Sequence, residues 1–208
     1  LVMKNDSGLW QAAESCLYYA YQDDFDIVSP LLDKAYQEGS DETMETWGRI
    51  SCLSVMTGHI DFNEFISQLQ QSNSQDAWSG ASGVWTNIGN YQQHQSQCIS
   101  GLEALLNMGT QYNDVYAKNF SHLFSDKTPA IQIPVKLIEA FFELLNVIVG
   151  QRDNMPHFFN EWLNNIAQRF PCDALSIAEI YLRFVKSKKP YFYDHKDQLV
   201  QMMTKLYA

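Results

Sequence analysis

Apolar residues recur every three to four positions along almost the whole chain, and the stretches that carry them are separated by Gly, Pro and Asn. That spacing predicts helices, and no run shows the strict alternation of a half-buried strand. Residues 9 to 21 place Leu9, Ala13, Cys16, Leu17 and Ala20 on one helical face, and residues 25 to 37 do the same with Val28, Leu31, Leu32 and Ala35. An aspartate-rich link, Asp23, Asp24 and Asp26, joins them. Pro30 suits an early turn of the second helix, where a missing N–H costs nothing, and would kink the helix further in. Gly39 ends that helix and Ser40 or Asp41 caps the next. The same reading predicts helices over 43–57, 61–71, 76–89, 93–108, 111–124, 134–149, 156–169, 173–187 and 191–207. The breaks fall at Gly58, Asn73, Gly89-Asn90, Gly109, Pro129, Gly150, Pro171 and Pro190.

Taken two at a time, the helices begin near residues 9, 43, 76, 111, 155 and 191, at intervals of 34, 33, 35, 44 and 36. "SCLYYAY" from Ser15 to Tyr21 aligns with "SCLSVMT" from Ser51 to Thr57, an offset of 36. Trp10, Trp47 and Trp78 each stand near the start of a first helix and are followed by small residues: Ala12 and Ala13, then Gly48, then Ser79, Gly80 and Ala81. A bulky anchor followed by small residues lets successive first helices pack closely. A period of this length predicts an all-α right-handed α-solenoid, because a helix pair that cannot bury its face alone does so against its neighbours. The expectation is one repeat domain over 1–208, with about five pairs and the start of a sixth. A compact helical bundle is the competing architecture.

"LWQAAESCLYYAY" followed by "DIVSPLLDKAY" resembles a HEAT repeat: an alanine-rich first helix, a turn with Asp, and a second helix entered as Val-x-Pro-Leu-Leu. The resemblance covers residues 9–36 well and 47–69 fairly; from 76 onward only the periodicity continues, and the insert "SDKTPAIQI" at 125–133 lengthens the fourth interval. Such a repeat implies a shape and no activity. The Trp-x-Ala and Trp-Gly-Arg openings and the acidic, tyrosine-rich turns are also similar to the C-terminal sensor regions of bacterial antiviral STAND ATPases. That resemblance implies a repeat tail that captures a viral structural or packaging protein, with a nucleotide-binding module upstream.

Composition narrows the partner. The 208 residues are 46% hydrophobic and 18% charged, which fits a folded protein, and 24 acidic against 14 basic residues give a net charge of −10. That balance disfavours nucleic acid and anionic membrane surfaces. The one dense basic run, Lys186, Lys188 and Lys189, reads as a complement to a helix C-terminus. Cys16, Cys52, Cys98 and Cys172 show no C-x-x-C spacing and sit in or beside apolar helical patterns, as reduced and mostly buried thiols of a cytoplasmic protein do. The most apolar predicted helix, 134–149, is too short to span a membrane and carries Lys136, Glu139 and Glu143. The chain opens at Leu1 and closes at Ala208 inside a helical pattern, so a longer protein is expected.

Candidate chemistry is sparse. His94 and Cys98, four apart, offer half a metal site or a Cys–His dyad, but an apolar-facing Cys beside a solvated His explains them as well. His59, Asp61 and Glu64 suggest a cation site, yet Asp61-x-x-Glu64 opening a helix is a capping box. "WSGASG" at 78–83 lacks the G-x-S-x-G order of a nucleophile elbow, and Gly80 and Gly83 read better as close-packing positions. Glu139 and Glu143 offer a carboxylate pair, but with Lys136 and Asn146 they form one narrow stripe, the solvated edge of a packed helix. The expectation is therefore no catalysis, no metal and no organic cofactor.

Binding is the remaining reading. The polar runs 68–76 and 90–97 and the tyrosines Tyr18, Tyr19, Tyr21, Tyr91, Tyr191 and Tyr193 offer area and hydrogen bonding to a protein partner. On the second helices Lys34, Gln68, Gln95 and Glu103 are expected to face outward; with Tyr191 and Tyr193 they form the predicted partner-binding set. A structural scaffold or spacer repeat within a larger assembly, whose second-helix face touches nothing, is the alternative, followed by a small all-α enzyme that recruits residues such as His94, Cys98, Glu139 and Glu143 into one cleft.

Overall fold

Asp24 separates the first two helices by itself. Its backbone leaves the helical region (φ −149°, ψ 72°), its N–H closes the first helix on the Ala20 carbonyl at 2.9 Å, and its own carbonyl accepts from Ile27 at 3.2 Å. The computed structural model describes residues 7–108, 132–147 and 159–187, with single positions at 111, 115, 119, 123, 124, 200 and 204. Most of the helices expected over 111–124 and 191–207, most of the 125–133 insert, and the side chain of Trp10 lie outside the described residues.

The described fold is all-α: α1 (Ser7–Asp23), α2 (Phe25–Glu38), α3 (Asp41–Met56), α4 (Phe62–Ser72), α5 (Gln75–Trp85), α6 (Gln95–Asn107), α7 (Val135–Val147), α8 (Phe159–Arg169) and α9 (Pro171–Ser187). No strand occurs among the described residues. The helix ends follow local chemistry. Gly39 takes the left-handed conformation (φ 64°) and its N–H reaches the Ala35 carbonyl. Ser40 Oγ accepts from Thr43 N–H at the start of α3. Asp61 Oδ1 accepts from the N–H groups of Asn63 and Glu64 at 2.9 and 3.0 Å, so the capping reading of that carboxylate holds. Asn73 closes α4 at φ 48° and Ser74 Oγ accepts from Ala77 N–H.

Pro30 and the end of α5 are instructive. Pro30 lies inside α2, in its second turn, so the Asp26 carbonyl has no N–H to accept from four residues on. The helix expected over 76–89 ends at Trp85; two short 3₁₀ turns, Ile88–Asn90 and Gln92–His94, follow. Asn87, Gly89 and Asn90 are weak helix formers, and the fully buried Ile88 is held by packing rather than by a helix.

The chain divides into two compact units, Leu1–Trp85 and Thr86–Ala208. In the first, α3 is central and packs against α1, α2, α4 and α5, most extensively against α5. From Thr46 to Met56 it is buried all round apart from the half-exposed Arg49. The tripeptide Trp47-Gly48-Arg49 shows how. The Trp47 ring packs between Tyr36 of α2 and Phe65 of α4, with centroids 4.9 and 5.7 Å away. Gly48 faces α5, where a Cβ would lie 2.1 Å from the Ala77 carbonyl oxygen. Arg49 pairs with Glu14 of α1 and, at 2.8 Å, with Glu45 of its own helix. Gly80 reciprocates: a Cβ there would sit 2.0 Å from the Glu45 carbonyl oxygen. Gly83 does not share this role, since a Cβ on it would meet nothing within 4 Å.

In the second unit α9 packs on α7 and α8, and α7 also meets α6. Its core is aromatic. Phe142 of α7 contacts Phe159 of α8 (5.5 Å, edge-on), Tyr181 (5.8 Å) and Phe184 (5.0 Å) of α9. Phe124 and Trp162 extend the cluster through Phe159. The polar stripe of α7 turns outward as expected: Lys136 and Glu143 are exposed, and Glu139 meets Arg183 of α9 at 3.4 Å.

Candidate partner-binding surface

A helix that packs with one stripe keeps another for solvent, and α2 shows both. Val28, Leu32 and Ala35 form its buried stripe. Ile27, Leu31, Lys34 and Glu38 follow one another at helical spacing along the adjoining stripe, and all four are exposed. Leu31, expected on the packed face, is 47% exposed instead. Its neighbour Leu32 fills the interior position, and one residue is a rotation of about 100° around the helix. Lys34 faces outward as expected, 3.7 Å from Glu38 in an exposed i,i+4 pair worth only a few tenths of a kcal/mol, about 0.3–0.5.

The second helices share a register that sequence reading missed. Asp24-Phe25 opens α2 and Asp61-Phe62 opens α4, an offset of 37, and the buried Val28 and Leu32 then correspond to the buried Phe65 and Leu69. In that register Ile27, Leu31 and Lys34 of α2 stand where α4 carries Glu64, Gln68 and Gln71. Gln68 is half-buried rather than fully outward. The Asp-Phe dipeptide is the signal that aligns the two.

The first helices behave differently. Cys52 is buried, at 1% exposure, but Cys16, its counterpart in the Ser-Cys-Leu alignment, is exposed. The sequence correspondence is therefore no packing equivalence: α3 has neighbours on every side, whereas α1 buries Leu17 and Tyr21 and leaves Tyr18 and Tyr19 open. Tyr21, expected among the binding aromatics, is a core residue whose phenol burial pushes above its ordinary value. Tyr91 is half-buried. Cys172 is exposed like Cys16, so two of the four thiols and not most are interior.

In the second unit Glu103 is exposed on α6. Gln95 is half-buried and structurally engaged: its Nε2 donates to the Gln132 carbonyl at 3.3 Å, and Gln132 Nε2 donates to Asp173 Oδ2 at 3.0 Å, tying α6 to the start of α9. Gln95 is thus a poorer contact residue than sequence reading expects. Tyr191 and Tyr193 lie outside the described residues. Lys34 and Gln68 belong to the first unit, Gln95 and Glu103 to the second.

The candidate chemistry resolves into packing. Cys98 is fully buried, and burial pushes its thiol from 9.0 up to about 12, which disfavours the free thiolate that a nucleophile needs. His94 Nδ1 lies 3.1 Å from Gln97 Oε1 instead. Among the described residues no group of three or more His, Cys, Asp or Glu is placed to hold a metal ion, and no helix is long and apolar enough to cross a membrane.

Burial also sets a pH dependence. Tyr181, like Cys98, titrates at about 12 because it is buried, against 10.0 for an ordinary phenol. Both groups hold their protons more tightly folded than unfolded. Their contribution is complete below pH 9 and is lost as pH rises from about 9 toward 12. The urea midpoint should fall through that window, and Tyr181→Phe should flatten the fall. An unchanged slope in that variant would show that the phenol is not buried as described.

No protein-family model, curated protein or solved structure matches this chain.

Proposed function

We propose that this chain is a protein-recognition module, a right-handed solenoid of helix pairs that holds a protein partner along its second helices. The observation that carries this reading is the division of labour in the first unit. The first helix α3 is enclosed by its neighbours, while the second helices α2 and α4 each bury one stripe and turn the rest to solvent. A repeat that encloses α3 and displays its second helices offers a long surface for its size. The net charge of −10 favours a protein with basic or polar patches over nucleic acid or anionic lipid.

The resemblance to antiviral STAND ATPase sensors gives the partner class: a viral structural or packaging protein, met in the cytoplasm by a longer chain that carries the nucleotide-binding module. Co-purification with a panel of such proteins tests this. Charge reversal at Lys34 and Glu103 together should cut the captured partner by about tenfold, with helical circular dichroism unchanged. Capture that survives this change, and also alanine at Gln68, Gln95, Tyr191 and Tyr193, would leave the spacer as the better account.

A further inference from the structure

Among the described residues the exposed large hydrophobics are Tyr18 (44%), Tyr19 (76%), Ile27 (60%), Leu31 (47%) and Val200. Four of the five lie on the α1–α2 hairpin. Because Asp24 alone links the two helices, Tyr18 and Tyr19 just before it and Ile27 and Leu31 just after it fall within roughly 10 Å of the turn along the axes. The apolar pair on α2 is no property of the repeat, since the matching positions of α4 hold Glu64 and Gln68. We infer that this end of the hairpin is a docking site for an amphipathic helix of a protein partner, with an apolar stripe flanked by Lys or Arg. The inference rests on the recognition reading and specifies its partner.

Three features select that occupant. The hairpin's helical backbones bond internally, so they offer no ladder to an extended peptide; a partner must satisfy its own backbone, as a helix does. The hairpin is acidic: Asp23, Asp24, Asp26 and Asp33 are exposed on it, and none forms an ion pair among the described residues. Lys34, the one basic residue between Glu14 and Glu38, is engaged with Glu38. Self-association fits poorly, because a two-fold contact would bring both sets of aspartates together.

The test is fluorescence anisotropy with the full chain and three designed helical peptides of about 18 residues. One carries Leu at i, i+4, i+7 and i+11 with Lys flanks; the second has the same Leu pattern with Glu flanks; the third has the Lys flanks with Ser in place of Leu. The first alone should bind. Ile27→Asp with Leu31→Asp should weaken it by about tenfold or more, although the added negative charge would strengthen any non-specific attraction to lysines. Equal binding of the third peptide, indifference to the double substitution with helicity intact, or a dimer that the double substitution dissolves would each overturn the inference. Viral-protein capture that Lys34 and Glu103 reversal abolishes, but Ile27→Asp with Leu31→Asp leaves intact, would refute this surface and leave the recognition reading standing.

Discussion

Gly48→Ala is expected to destabilise the first unit by about 3 kcal/mol or more, far beyond the usual cost of a one-carbon change. Alanine is the better helix former by about 1 kcal/mol, so propensity alone would make the variant more stable. Sterics decide the sign. The new Cβ would lie 2.1 Å from the Ala77 carbonyl oxygen, and that oxygen belongs to a helical backbone that cannot swing away like a side chain. α3 and α5 must separate, and with them Trp78 and Trp85, both almost wholly buried. Gly80→Ala meets the Glu45 carbonyl at 2.0 Å and should behave alike. Gly83→Ala is the control: its Cβ meets nothing, so it should be neutral or stabilising by up to about 1 kcal/mol. Urea unfolding of the three variants reads the difference. A Gly48→Ala midpoint equal to that of Gly83→Ala would mean that α3 and α5 are not in backbone contact.

Phe142→Ala should cost about 3–5 kcal/mol in the second unit, from lost burial and from the cavity left behind. Phe142 is 1% exposed and reaches both α8 and α9 from α7, through Phe159, Tyr181 and Phe184. Edge-on and tilted ring pairs add about 1 kcal/mol each beyond area. Glu143→Ala, one residue on and exposed, should change stability by less than about 0.5 kcal/mol. The pair of variants asks whether neighbours in sequence differ as their burial says. Near-UV circular dichroism should lose intensity in Phe142→Ala alone, because the ring packing that fixes Trp162 and Tyr181 loosens. A similar midpoint for both variants would refute the aromatic core described here.

Helix existence was legible in the sequence because it depends on local signals. Gly39, Ser40 and Asp61 stop or start helices through bonds that reach no further than four residues, Asn73 does so by its left-handed backbone, and the structure places each where the pattern predicts. Lys34 and Glu103 were legible for a related reason: a long charged side chain stays in water wherever its helix lies. The six-residue binding set was otherwise less secure, with Gln68 half-buried, Gln95 bonded to Gln132, and Tyr191 and Tyr193 outside the described residues.

Helical phase states which residues share a face, and it cannot state which face is covered. "SCL" is interior in α3 and, at Cys16, open in α1; Tyr21 is core while Tyr18 and Tyr19, up to three residues earlier, are surface. α3 carries Thr46, Ser51 and Ser54 in its interior, polar residues that local pattern reads as a solvent face. Gly48 is what admits the neighbouring backbone, and Ser54 Oγ donates to the Ile50 carbonyl, while buried Ser51 Oγ has no hydrogen-bond partner among the described residues. Sequence alone thus determined the all-helical class, the capped ends at Gly39, Ser40, Asp61 and Asn73, and the acidic balance, because propensity, capping and charge are properties of short stretches; the end of α5 at Trp85 it did not. Tertiary structure alone decided that α3 is enclosed and that Ile27 and Leu31 are exposed, because burial depends on residues brought in from elsewhere in the chain.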